Sequence, residues 1–199
     1  SFWERGCPSR ARLLWLLDNT EHPRVAESDG ARDPERLPLV RRNLGEYRQR
    51  IEQGKTRGKH KWVLEGATEF DALIRCPGLL VAVEAKLYSD IATGVTWDTG
   101  RDQIARVIDV GLELAGEDDF AFLLITDRRH HKPPKGYEQL MAHYQFNPPH
   151  DLPANRLGWL TWGEIYRWLE HRRSSCTAEQ VVWLDKLRHY LAERELLEA

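Results

Sequence analysis

The sequence predicts an α/β fold with a mixed central sheet flanked by helices, and three observations carry that prediction. Between about residues 39 and 127, apolar runs of strand length alternate with segments of helical period, in the order helix, three strands, helix, strand. Residues 70–87, FDALIRCPGLLVAVEAKL, read as two strands around Cys76-Pro77-Gly78. There Pro presets φ at one turn position and Gly accepts φ > 0 at the next, so the pair forms an antiparallel hairpin. Residues 120–126, FAFLLIT, are nearly all apolar, as a buried strand is.

The elements follow in order. A short helix over about residues 9–17 precedes a Pro-, Asp- and Gly-rich linker at 21–38. Val40, Leu44, Tyr47 and Ile51 then recur at helical intervals until Gly54. Strands are expected over 62–67, 71–76 and 79–87. Thr99 is the expected N-cap of the next helix, with Asp102 as its capping-box partner. Ile104, Val107, Ile108, Leu112 and Ala115 share one face of that helix, and Gly116 stops it. After the strand at 120–126 comes a loop-rich stretch, 130–153. Thr161 with Glu164 and Thr177 with Gln180 form two further capping boxes. They open a helix with Ile165, Trp168 and Leu169 inward and a last helix reaching about Leu197. The 199 residues thus read as one domain: N-terminal helix and linker 1–38, core 39–127, and helical extension 128–199.

No apolar run approaches the roughly twenty residues of a membrane helix, so no membrane association is expected. Cys7, Cys76 and Cys176 are odd in number and far apart, which suits a reducing cytoplasm and argues against a zinc site. The net charge is −2, so no global nucleic-acid footprint exists. Charge is nevertheless uneven: residues 41–61 hold eight Lys or Arg against two acids. Within them Lys55, Arg57, Lys59 and Lys61 lie on a glycine-bearing loop that leads into the sheet, and they are candidate phosphate contacts. His130 and His131, in a second basic cluster, read as surface residues, and Trp97 reads as packing.

The chemistry concentrates in the hairpin. Side chains alternate along a strand, so Glu84 and Lys86 share a face with Leu80 and Ala82. Leu79, Val81, Val83, Ala85 and Leu87 make the apolar packing stripe on the other face. With Pro77-Gly78 at the turn centre, Asp71 falls opposite Glu84, with Cβ atoms about 5 Å apart. Two carboxylates that close repel unless a cation lies between them. Carboxylates, a backbone carbonyl and water are the hard oxygen ligands that Mg²⁺ prefers, and a lysine beside them can stabilise charge on a phosphoryl transition state.

Asp71, then Glu84-Ala85-Lys86 thirteen residues on, in a helix, three-strand, helix, strand order, resembles the PD-(D/E)XK nuclease superfamily. The resemblance covers about residues 41–127, and Phe70 stands where the nominal motif has proline. It implies a restriction-endonuclease-like αβββαβ core and a metal-dependent DNA endonuclease of restriction, defence, recombination or repair. Mg²⁺, with Mn²⁺ able to substitute, would be held by Asp71, Glu84 and the Ala85 carbonyl. Lys86 would be the catalytic lysine, and Gln103 falls where many members carry an active-site glutamine. Glu46 is the candidate for a supporting glutamate on the preceding helix, with Glu65 and Glu69 as alternatives. DNA is the implied substrate, with a homodimer or a specificity partner compatible with double-strand cleavage. The alternative is a catalytically silent nucleic-acid-binding or assembly module of the same fold. Such modules usually lose an acid or the lysine, and here all three remain.

Overall fold

The structure is a computed structural model that describes residues 5–19, 44–55, 64–65, 67–87, 91, 102–127 and 156–197. Its centre is a four-stranded mixed sheet, ordered β3 (Ala72–Cys76), β4 (Leu79–Ala85), β5 (Asp119–Thr126) and β6 (Leu157–Thr161). β3 and β4 are antiparallel, whereas β4, β5 and β6 are mutually parallel. The expected hairpin forms around Pro77-Gly78, with Gly78 at φ 74°. A register of Ala72 on Val83 places Asp71, one residue further on, opposite Glu84.

The strand expected over 62–67 is not the third strand of this sheet. Leu64, Glu65 and Ala67 belong to no strand, and Trp62 and Val63 lie outside the described residues. The strand that forms is the short β2 (Thr68–Glu69), and it pairs with β1 (Arg5–Gly6) in a separate ladder. In exchange the central sheet gains β6, so the stretch after residue 127 is not purely helical. β6, LGWLT, is five residues long and contains Gly158, too short and irregular a pattern to announce a strand. It forms because the edge of β5 offers unpaired backbone groups that a parallel neighbour satisfies.

Five α-helices accompany the strands among the described residues. They are α1 (Arg10–Asn19), α2 (Leu44–Glu52), α3 (Gln103–Ala115), α4 (Trp162–Glu170) and α5 (Ala178–Glu193). Gly54, at φ 69°, follows α2 as expected, and Val40 lies outside the described residues. The start of α3 differs from expectation: Asp102 is itself the N-cap, its carboxylate accepting from the Ala105 amide at 2.9 Å. A cap nearer the apolar run satisfies a free amide of the first turn directly. Thr99 lies outside the described residues. Both C-terminal capping boxes form, at Thr161–Glu164 and Thr177–Gln180.

The main core sits between α3 and one face of the sheet. Ile104, Val107 and Ile108 pack with Leu80, Ala82, Phe120, Phe122 and Leu124. Burial of side chains of this size contributes about 1.5–3 kcal/mol each. This core corrects the expected facing of β4. The residues packed tightly under α3 are Leu80, Ala82 and Glu84, on the face that carries the charges. On the stripe read as packing, Leu79, Val81 and Ala85 are only half-buried, whereas Val83 is buried as expected. A helix lies across the charged face, and that decides which side becomes interior.

The close fit of α3 on β5 depends on Gly111. A β-carbon there would fall well inside contact distance of the Phe120 ring. Gly111→Val is therefore expected to cost about 1–3 kcal/mol through overpacking. Thermal unfolding would show this as a fall of roughly 3–10 °C; an unchanged melt would mean the ring moves aside freely.

A second cluster joins α1 and α2 through Leu13, Leu17 and Ile51. The third joins α4 and α5 through Tyr166 and Leu191, with Leu87 from the end of the β4 segment packed against it. On α4 the inward residues are Gly163 and Tyr166, whereas Trp168 is 57% exposed, contrary to the expected inward Trp168. Its ring lies under the Arg172 guanidinium at 3.9 Å, which shields one aromatic face from water. Among the described residues no helix is long and apolar enough to cross a membrane.

Candidate functional site

Glu84 is the last fully buried residue of β4, only 1% exposed. Two side chains meet it. The Lys86 ammonium stands 2.6 Å from Glu84 Oε1. The Gln103 amide donates to the same oxygen at 2.7 Å. Lys86 Nζ in turn donates to Gln103 Oε1 at 3.1 Å, which closes a three-membered ring of polar contacts. The elements explain the meeting. Alternation along β4 and its continuation puts Glu84 and Lys86 on one face. Capping by Asp102 starts α3 at Gln103, directly above that face.

The fourth member is Asp71, at the open end of the hairpin. Its Oδ2 accepts from the Ala85 amide at 2.7 Å, so the carboxylate is fixed against the end of β4. That contact also orients Ala85. Within an extended strand a residue's N–H and C=O project to the same edge, so the Ala85 carbonyl faces the Asp71 side as well. The Lys86 amide points the opposite way and donates to the Ile125 carbonyl at 2.7 Å, extending the β4–β5 ladder.

Electrostatics make Glu84 unusual. Burial pushes its pKa above the ordinary glutamate value, the Lys86 hydrogen bond draws it back, and the Asp71 charge adds to the push. Glu84 Oε2 is buried and has no hydrogen-bond partner among the described residues. An orphaned carboxylate oxygen is costly, at about 1–3 kcal/mol or more for a charged group. The carboxylate therefore works against folding once ionised. A carboxyl whose folded pKa is raised contributes stability that is complete below the ordinary value and lost as pH rises through the raised one. Glu84→Gln is accordingly expected to melt higher than wild type near neutral pH in chelator. The gap should narrow toward acid, and melts between about pH 4 and about pH 8 would check it. A gap that widened toward acid would reverse the assigned sign.

Two carboxylates on facing strand ends, one with a bare buried oxygen, and an adjacent carbonyl match the sparse protein ligation typical of Mg²⁺. Among the described residues no cluster of three or more His, Cys, Asp or Glu is arranged to hold a metal. The expected supporting glutamate is thus not gathered in. Glu46 stands exposed in the first turn of α2, with no contact to Asp71 or Glu84 among the described residues. Glu69 is exposed on β2, and Glu65 is 4% exposed. Helix α2 packs on α1 through Ile51, which turns Glu46 toward solvent instead of toward the sheet.

Of the basic loop, Lys55 is exposed just past α2. Arg57, Lys59 and Lys61 lie outside the described residues, as do Trp97, His130 and His131.

The structure adds one residue that sequence reading passed over. The register aligns Glu84 with Leu124 and Leu124 with Trp159, all on one sheet face. Trp159 is 36% exposed and donates to Thr126 Oγ1 at 2.7 Å. Two strand spacings put its backbone about 10 Å from that of Glu84. Only the pairing of β6 places it there, so no local signal was available.

Compared with known proteins, the chain matches no family model, no curated protein and no solved structure.

Proposed function

We propose that this chain is a metal-dependent endonuclease of PD-(D/E)XK type that hydrolyses DNA phosphodiester bonds, as its motif resemblance implies. The observation that carries this reading is the joining of Glu84, Lys86 and Gln103 by mutual contacts, with Asp71 across the hairpin. A surface ion pair would have no need of buried acid, orphan oxygen and facing carboxylate together. The parallel strands β4 and β5 end on the same side of the sheet, where open α/β sheets bind ligands.

Asp71, Glu84 and the Ala85 carbonyl would hold Mg²⁺. A bound divalent cation supplies a Lewis acid at phosphate oxygen and lowers the pKa of water. The chain's own groups do the rest. Lys86, nearly desolvated and braced by Gln103, presents its ammonium to the charge that develops on phosphoryl oxygens in the transition state. Gln103 fixes Glu84 and Lys86 relative to each other, so little reorganisation accompanies the reaction. The restriction-endonuclease-like core remains part of this proposal, since β2 pairs outside the main sheet.

Conversion of supercoiled plasmid with and without Mg²⁺ or Mn²⁺ tests the reading, with wild type beside Glu84→Ala. Metal-dependent nicking by wild type alone is the expected result. No conversion by wild type, with no rise in melting temperature on adding metal, would overturn it and leave the silent binding module of the same fold.

A further inference from the structure

We propose that a cavity between α4 and α5 is a binding site for a phosphate monoester, separate from the Glu84 cluster. The cavity has a volume of about 320 Å³ and is lined by Gly163, Tyr166, Arg167, Glu170, Arg188 and Leu197. That volume lies at the lower end of the range for small-molecule sites. It is amphipathic: Leu197 and the Tyr166 ring are apolar, and the two guanidinium groups are cationic.

The lining's one carboxylate is already engaged. Glu170 accepts from the Tyr166 hydroxyl at 2.9 Å and from Arg173 Nη1 at 3.2 Å. Arg173 continues to Asp185 at 2.7 Å, so a chain of polar contacts ties Glu170 down from outside the cavity. Arg188 is different. It forms no ion pair or hydrogen bond among the described residues, and it lines the cavity together with Tyr166. A guanidinium lining a concavity, with the neighbouring carboxylate held by another arginine, is arranged for an external anion. The planar fork of arginine matches phosphate oxygens in pairs, which a point charge does not. The apolar wall suits a ring attached to that phosphate. Phosphate of this chemistry has two sources, a free mononucleotide and the 5′ end of a nucleic-acid strand. The inference does not rest on the nuclease reading.

Isothermal titration of the full chain tests it, in chelator so that no metal bridges phosphate to Asp71 and Glu84. The probes are adenosine 5′-monophosphate, adenosine, and a short single strand with or without a 5′-phosphate. Saturable binding of the monophosphate but not of adenosine is expected, weakened at least about tenfold by Arg188→Ala. Arg188 is solvent-exposed, so this variant should fold, and Arg188→Lys should recover part of the affinity. Tighter binding of the 5′-phosphorylated strand than of the mononucleotide would assign the site to strand ends; the reverse order would assign it to free nucleotide. Absence of saturable binding of any phosphorylated probe to wild type, or equal binding by Arg188→Ala, would overturn the proposal.

Discussion

Lys86→Ala is expected to lower metal-dependent plasmid nicking by roughly 10²–10³-fold while the chain stays folded. The magnitude is that of removing one preorganised charge aimed at a developing oxyanion. Folding should survive because Lys86 lies just past the end of β4, and its side chain is 15% exposed. The loss also reaches Glu84: without its ammonium partner, burial and the Asp71 charge act on that carboxyl unopposed, and its pKa should climb further. The variant should therefore lose stability as pH rises through the raised pKa of Glu84, and lose more of it than wild type. Lys86→Arg should not restore full activity, since a planar fork cannot contact Glu84 Oε1 and Gln103 Oε1 as a point charge does. Wild-type nicking rates in folded Lys86→Ala would remove lysine from the mechanism.

Arg12→Ala is expected to be among the most destabilising single changes in the chain. Arg12 on α1 is 3% exposed and Asp109 on α3 is 2% exposed, and their charged groups meet at 2.7 Å. Truncating one partner leaves the other charge buried without its counterion, which costs about 3–5 kcal/mol. For a chain of this size that is a fall of about 10 °C or more in melting temperature. The paired replacement Arg12→Met with Asp109→Leu should recover most of the loss, because an apolar pair leaves no stranded charge. If Arg12→Ala melted within about a degree of wild type, water would have to reach Asp109 and the pair would not hold α1 to α3. Differential scanning calorimetry of wild type and both variants separates these outcomes. The site is coupled to this anchor, since α3 also carries Gln103 at its first position.

How much of this was legible in the sequence differs from element to element. The turn and register of the hairpin were readable, because Pro77-Gly78 fixes the turn and the turn fixes the pairing that brings Asp71 to Glu84, although β4 ends at Ala85 and not at residue 87. The two C-terminal capping boxes and the glycine stops after α2 and α3 were likewise local, each decided by a few adjacent side chains and backbone groups. The relation of Glu84 to Lys86 followed from the period of a strand alone.

Other features belonged to no local window. Whether the strand near residue 68 joins the main sheet depends on competition with β1, more than sixty residues away in the chain. β6 and the position of Trp159 depend on a free edge of β5. Which face of β4 becomes interior depends on where α3 lies, and Glu46 turns outward because α2 packs on α1. Trp168 faces water because Tyr166 and Gly163 take the inward positions of α4. The sequence by itself determined the turn, the caps and the pairing of acids with lysine, since those rest on dihedral preferences and short-range hydrogen bonds. Tertiary structure alone decided the burial that makes Glu84 reluctant to ionise and the cavity that exposes Arg188. Desolvation and cavity shape are properties of everything that surrounds a residue, and no stretch of chain contains its own surroundings.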